Sequence, residues 1–92
     1  MADTQAVPPF DPTEAAYMYA QVADHVAARI RAGELGPGAR LPGERAMAEE
    51  YGVALGTIRR AVEELRDRGY LVTLPAKGTF ITPRDQWPAD EN

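Results

Sequence analysis

Two glycines divide the middle of this sequence into two helical runs and a change of period, and no other feature limits the fold so far. In residues 44–51, Met47 and Tyr51 share a helical face at i, i+4, and Gly52 follows them. Only Val53 and Ala54 separate that glycine from a longer run. There Ile58, Val62 and Leu65 recur at i, i+4, i+7, while Arg59, Arg60, Glu63, Glu64, Arg66 and Asp67 point away from them. Gly69 ends the run, and the period shortens from about 3.6 to about 2. Tyr70-Leu71-Val72-Thr73-Leu74 and Thr79-Phe80-Ile81-Thr82 read as strands, joined by the turn Pro75-Ala76-Lys77-Gly78, in which Gly78 can take a positive φ. A short helix, a glycine turn and a longer helix are the sequence form of a helix-turn-helix, here followed by a hairpin.

Upstream, residues 13–32 predict a first helix, with Tyr19, Val22, Val26 and Ile30 on one stripe, Ala23 and Ala27 beside it, and Gly33 as its stop. Gly36-Pro37-Gly38 breaks the chain, and Pro42 forces Leu41 into an extended conformation, which predicts a short strand near Ala39-Arg40-Leu41. The expected fold is therefore mainly α with a small β-hairpin wing: three helices plus a two- to three-stranded sheet, a winged helix-turn-helix. Residues 13–83 are expected to form that domain. Residues 1–12, with three prolines and no period, read as a flexible arm whose Phe10 can dock on the body. Residues 84–92 read as a polar tail, with Trp87 packing on the body.

Ninety-two residues suffice for one small core and leave no room for a fused enzyme or an effector-sensing module. Hydrophobic residues make up 45%, and sixteen of them are alanine, a composition that favours a helical core. The absence of cysteine excludes a disulfide framework and a Cys-type zinc site, which points to a reducing cytoplasm. No apolar run approaches the roughly 18 to 20 residues of a membrane span, and no signal peptide opens the chain, so no membrane partner is expected.

Ten basic against fourteen acidic residues give a net charge of -4, which at first sight argues against a nucleic-acid partner. The acid excess lies in the flanks, however: residues 1–35 sum to -3 and residues 84–92 to -2, whereas residues 36–83 sum to +1. Nine of the ten basic residues are arginine, whose planar fork suits phosphate or guanine. A major groove about 12 Å wide accepts one α-helix, whose N-terminal side chains reach base edges. The third helix fits that task, and a hairpin tip carrying Lys77 and Gly78 fits the adjacent backbone.

The strings Tyr19-Ala20-Gln21-Val22-Ala23, Gly33-Glu34-Leu35, Pro37-Gly38-Ala39-Arg40-Leu41-Pro42, Glu44-Arg45, Tyr51-Gly52-Val53, Thr57-Ile58-Arg59, Glu64-Leu65, Gly69-Tyr70-Leu71 and Lys77-Gly78-Thr79-Phe80-Ile81 occur in order. Together they resemble the DNA-binding domain of the GntR family of bacterial transcription regulators over roughly residues 17–82. The resemblance implies a winged helix on double-stranded operator DNA, often as a repressor and usually as a dimer on a palindrome. It usually also implies a C-terminal ligand-binding and dimerising domain, which is not expected within these residues. Carried over by position, Arg45 and Arg59 match arginines associated with operator contact. Thr57 matches a threonine near backbone or bases, and Lys77, Gly78 and Thr79 match the wing tip. Pairing of two copies stays open: a lone module offers few base contacts, yet Tyr17, Met18 and Trp87 show neither heptad nor clear patch.

Departures from the family pattern bear on specificity. Gly43 stands where a serine usually caps the second helix and Ala54 where a serine or threonine caps the third, and with Gly56 in its first turn the front of the third helix is expected to fray. Leu55 replaces a common base-reading arginine, Gly56 follows it, and Ala76 replaces the first wing glycine. In one reading, Leu55 meets a thymine methyl and Gly56 lets the backbone approach phosphate. In the other, the DNA surface has decayed and the winged helix docks a protein. Arg60 is read either as a DNA contact or as a solvated charge paired with Glu64, and Arg66 and Arg68 as cations favouring the helix C-terminus. Catalysis is not indicated. His25 lacks a spaced metal partner, Glu49-Glu50 and Glu63-Glu64 point to different helix faces, and Gly36-Pro37-Gly38 lacks the lysine of a phosphate loop, so no metal or cofactor is expected.

Overall fold

The computed structural model describes residues 7–13 and 17–89. Three helices precede a hairpin: α1 (Met18–Arg31), α2 (Glu44–Tyr51) and α3 (Leu55–Arg68), then β1 (Leu71–Leu74) and β2 (Gly78–Ile81), with a short 3-10 turn at Arg84–Gln86. The core is built as the periodicities require. Val22, Val26 and Ile30 of α1 and Ile58, Val62 and Leu65 of α3 are buried, with Met47 and Tyr51 of α2 and Leu71 and Ile81 of the hairpin. Fully burying each of these side chains contributes roughly 1.5 to 3 kcal/mol, so the faces they occupy fix how each helix is rotated.

α1 starts later than the predicted residue 13. The Thr13 N–H donates to Gln21 Oε1 at 2.7 Å and the Gln21 amide donates back to the Thr13 carbonyl at 2.9 Å, which withdraws that carbonyl from a helical ladder. Residues 14–16 lie outside the described residues. β1 pairs with β2 antiparallel, with Leu71 opposite Ile81 and Leu74 opposite Gly78. The strand expected near residue 40 is a single bridge, Arg40 to Phe80, flanked by Leu41 N–H to Thr79 carbonyl at 2.8 Å and Ile81 N–H to Ala39 carbonyl at 2.9 Å. Pro42, which carries no N–H, ends it there.

Of the expected arm, residues 7–11 line a cleft with α1, and residues 1–6 fall outside the described residues. Phe10 meets His25 and Tyr51 edge-on, at 5.5 and 5.0 Å between ring centroids. The Pro8 carbonyl, 2.8 Å from His25 Nε2, can only accept, so Nε2 carries a proton there, and Nδ1 hydrogen-bonds the Tyr51 hydroxyl at 2.8 Å. Burial pushes the Tyr51 phenol above its ordinary value, against the pull of the Arg29 guanidinium that donates to it at 3.1 Å. At the other end, Trp87 Nε1 donates to the Thr82 carbonyl at 3.1 Å, and Arg31 holds both the Tyr70 hydroxyl and the Pro88 carbonyl at 2.6 Å.

Gly69 joins these parts. Its φ is 97°, and a Cβ there would stand 2.5 Å from the Gln86 carbonyl oxygen, whereas a Cβ at Gly33, with φ 88°, would meet nothing within 4 Å. Gly33→Ala should therefore cost about 1 kcal/mol of left-handed strain. Gly69→Ala should cost distinctly more and shift the emission of Trp87, the sole tryptophan, to the red as the tail is displaced. Equal losses in urea melts, with unchanged emission, would contradict this role.

Candidate nucleic-acid interface

The buried stripe of α3, Ile58, Ala61, Val62 and Leu65, leaves Gly56, Arg59, Arg60, Glu63, Arg66 and Asp67 exposed. Leu55 and Thr57 are half-buried at its start. The exposed side is basic in its first two turns, at Arg59 and Arg60, and gains acids beyond them at Glu63 and Asp67, so an anion is favoured only near the N-terminal half. The first turn is helical from Leu55, where the Ala54 carbonyl accepts from both the Thr57 and the Ile58 N–H, at 3.0 and 3.3 Å. No side chain caps α3 at Ala54 or α2 at Gly43.

The basic residues divide into two groups. Away from the α3 front, Arg29 reaches Glu34 at 3.0 Å and Glu50 at 3.1 Å, and Arg68 reaches Asp24 and Glu64 at 2.9 Å each. Burial lowers both guanidinium pKa values, and hydrogen bonds to Tyr51 and Glu34, and to Glu64 and Asp24, outweigh it, so both stand above their ordinary value. By contrast, no carboxylate among the described residues pairs with Arg40, Arg45, Arg60 or Lys77. Arg60 does not pair with Glu64 as its spacing suggests, since Glu64 is taken by Arg68. It lies instead over the Tyr19 ring, 4.3 Å from the centroid, with Tyr17 stacked on Tyr19 at 6.0 Å. Arg66 donates to Thr73 Oγ1 at 3.1 Å rather than standing free at the helix end.

Exposed Arg45 sits on the first turn of α2, beside Glu44. Glu44 accepts from Arg59 Nε at 3.0 Å, which ties the start of α2 to the front of α3. Both side chains are about half exposed, at 45% and 62%, and such a pair contributes roughly 0 to 1 kcal/mol, too little to lock Arg59 away from a ligand. Lys77 is exposed at the wing tip, and Thr79 hydrogen-bonds Thr73 across the hairpin at 2.9 Å, which occupies its hydroxyl in the wing. The Lys77 N–H closes the turn on the Leu74 carbonyl at 2.9 Å, and Ala76 takes φ 63°, a left-handed value for which glycine is the usual residue.

Sequence reasoning missed Arg40. Its guanidinium folds over Gly78, where a Cβ would stand 2.7 Å from Nε, and it shares a groove with Glu44, Val62 and Thr79. The available signal was its alternation with buried Leu41 ahead of Pro42, which turns its side chain outward. Arg40, Arg45, Arg59, Arg60 and Lys77 thus collect around α3 and the wing, while among the described residues no three metal-ligating side chains cluster. Nor is any described helix long and apolar enough to cross a membrane.

The sequence matches the family model described as bacterial regulatory proteins, gntR family, over residues 18–81. The chain belongs to the GntR family. It is 37% identical over 65 residues to the HTH-type transcriptional repressor NagR of Bacillus subtilis (strain 168), covering 71% of this chain and 27% of NagR. The chain thus spans about a quarter of that relative's length. Among solved structures, the AraR DNA-binding domain in complex with operator ORE1 is 31% identical with a TM-score of 0.69, covering 73% of this chain and 82% of that one. YtrA from Sulfolobus acidocaldarius, a GntR-family transcription factor, is 29% identical with a TM-score of 0.74, covering 86% and 83%. A winged helix-turn-helix, with three helices and a two-stranded antiparallel sheet, is the fold this chain shares with them.

Because α3 lacks a side-chain cap, Ala54→Ser should raise stability by about 1 kcal/mol. An unchanged urea midpoint would show that the backbone already satisfies that turn.

Proposed function

We propose that this chain binds operator DNA in a bacterial cytoplasm and regulates transcription, by default as a repressor that acts by occlusion. Residues 13–83 are the binding domain. Helix α3 enters the major groove with its first two turns, Arg59 and Thr57 reach base edges or the nearby backbone, and Leu55 meets a thymine methyl. Gly56 leaves room for phosphate near the helix start. Arg45 and Arg60 bind backbone beside the groove, and Lys77, Gly78 and Thr79 carry the wing against flanking phosphates.

The observation that carries this reading is the division of the cations in a molecule of net charge -4: among the described residues Arg40, Arg45, Arg60 and Lys77 have no acid partner and Arg59 has only the exposed Glu44, while Arg29 and Arg68 are each held by two carboxylates. The repressor name of NagR and the operator in the AraR complex support it as properties of relatives. We further propose that two copies act together on half-sites about 34 Å apart, since one small module makes few base contacts.

Selection from a random duplex pool, followed by salt titration, tests the reading. Each neutralised phosphate should contribute about -0.9 to the slope of log K against log[salt]. Lys77→Ala should weaken all duplexes alike and flatten that slope by about 1, and Arg59→Ala should lose about 1 to 3 kcal/mol on the selected duplex only. A salt-insensitive complex, or none with any duplex, would return the chain to the protein-docking alternative.

A further inference from the structure

Among the described residues Glu44 is the one carboxylate joined to a proposed DNA-facing arginine, and simple electrostatics would make it a defect. An acid at this surface repels phosphate. Its geometry gives it a different use. The hydrogen bond runs from Arg59 Nε to Glu44 Oε1 at 3.0 Å, and among the described residues the guanidinium has no second partner. With Nε engaged, the edge formed by Nη1 and Nη2 stays open. That edge is a planar two-donor fork, the arrangement that matches guanine O6 and N7.

We infer that Glu44 is a specificity-determining positioning residue: it holds Arg59 by Nε so that the two Nη groups are presented end-on to a base. This rests on the DNA-binding reading above. The two residues lie fifteen positions apart, and each sits on a different helix of the helix-turn-helix. The contact therefore sets the reading side chain relative to the supporting helix as well as fixing its rotation. Arg40, in the same groove, makes no ion pair with Glu44, which leaves the carboxylate committed to Arg59. The negative charge also lowers attraction to phosphate at large. Glu44 thus raises selectivity from both sides, by orienting the fork and by weakening sequence-independent binding.

The two roles of an acid at this position, orientation and repulsion, predict opposite signs. Binding is measured with the intact chain on the duplex recovered by selection and on a scrambled duplex of equal length. In Glu44→Ala, affinity for the scrambled duplex should rise about 2-fold or more as a repelling charge is lost. Affinity for the selected duplex should fall about 2- to 5-fold, as much as a half-exposed ion pair can transmit. Glu44→Gln keeps an Oε1 acceptor, so its selectivity should lie between Glu44→Ala and the parent. Adding Arg59→Ala to Glu44→Ala should cost little more than Glu44→Ala alone. In the free protein, the Arg59 Nε–H resonance should be resolved, and it should broaden in Glu44→Ala.

Equal rises on both duplexes would reduce Glu44 to a repelling charge and overturn the inference while leaving DNA binding intact. An Nε–H resonance unaffected by Glu44→Ala would overturn the geometry without any duplex present. No selective duplex for the parent chain would instead remove the DNA-binding reading, and this inference with it. Circular dichroism of Glu44→Ala separates loss of orientation from loss of fold.

Discussion

The packing of α3 on α1 governs everything else in this molecule. Ile58 and Leu65 are fully buried with Val22, Val26 and Ile30, and no rotation of α3 other than this one buries all of its apolar stripe. That rotation decides which side chains face the solvent. A turn of 100° about the helix axis would bury Arg59 or Glu63, at a cost no surface contact here could offset. The direction of Arg59 and Arg60 is thus a consequence of hydrophobic burial on the opposite side of the same helix.

The molecule meets a second constraint through charge placement. It is acidic overall, and four of its carboxylates hold arginines that serve the fold: Glu34 and Glu50 on Arg29, Asp24 and Glu64 on Arg68. Arg31 binds the tail through oxygen acceptors instead. Among the described residues the cations near the α3 front and the wing have no carboxylate partner, except Arg59, which is held by Glu44. Net charge is a sum over the whole surface, and binding responds to the local field.

Much of the fold could be read from residue spacing alone. The burial of Met47 and Tyr51, the stops at Gly52 and Gly69, and the hairpin beyond follow from local rules, since each is decided within a few residues. What sequence could not supply is contact across the chain. Arg60 has Glu64 one turn away, but Glu64 is held by Arg68, which also reaches Asp24, and a distant Tyr19 takes the place of the expected partner. The Arg59 to Glu44 contact, the fold of Arg40 over Gly78 and the approach of Gln86 to Gly69 likewise join residues with no periodic relation. The site residues named from family likeness lie on α2, on the front of α3 and on the wing. Thr79 is the one whose hydroxyl already has a partner within the sheet.

The central claim, that α3 presents its first two turns and the wing tip to a duplex, is tested most directly by titrating isotopically labelled chain with a selected duplex and following every backbone amide. The account predicts large shifts confined to residues 44–45, 55–60 and 76–79, with the surface around Asp24, Arg31 and Arg68 unmoved. Shifts concentrated on that opposite surface, with the α3 front unperturbed, would contradict it.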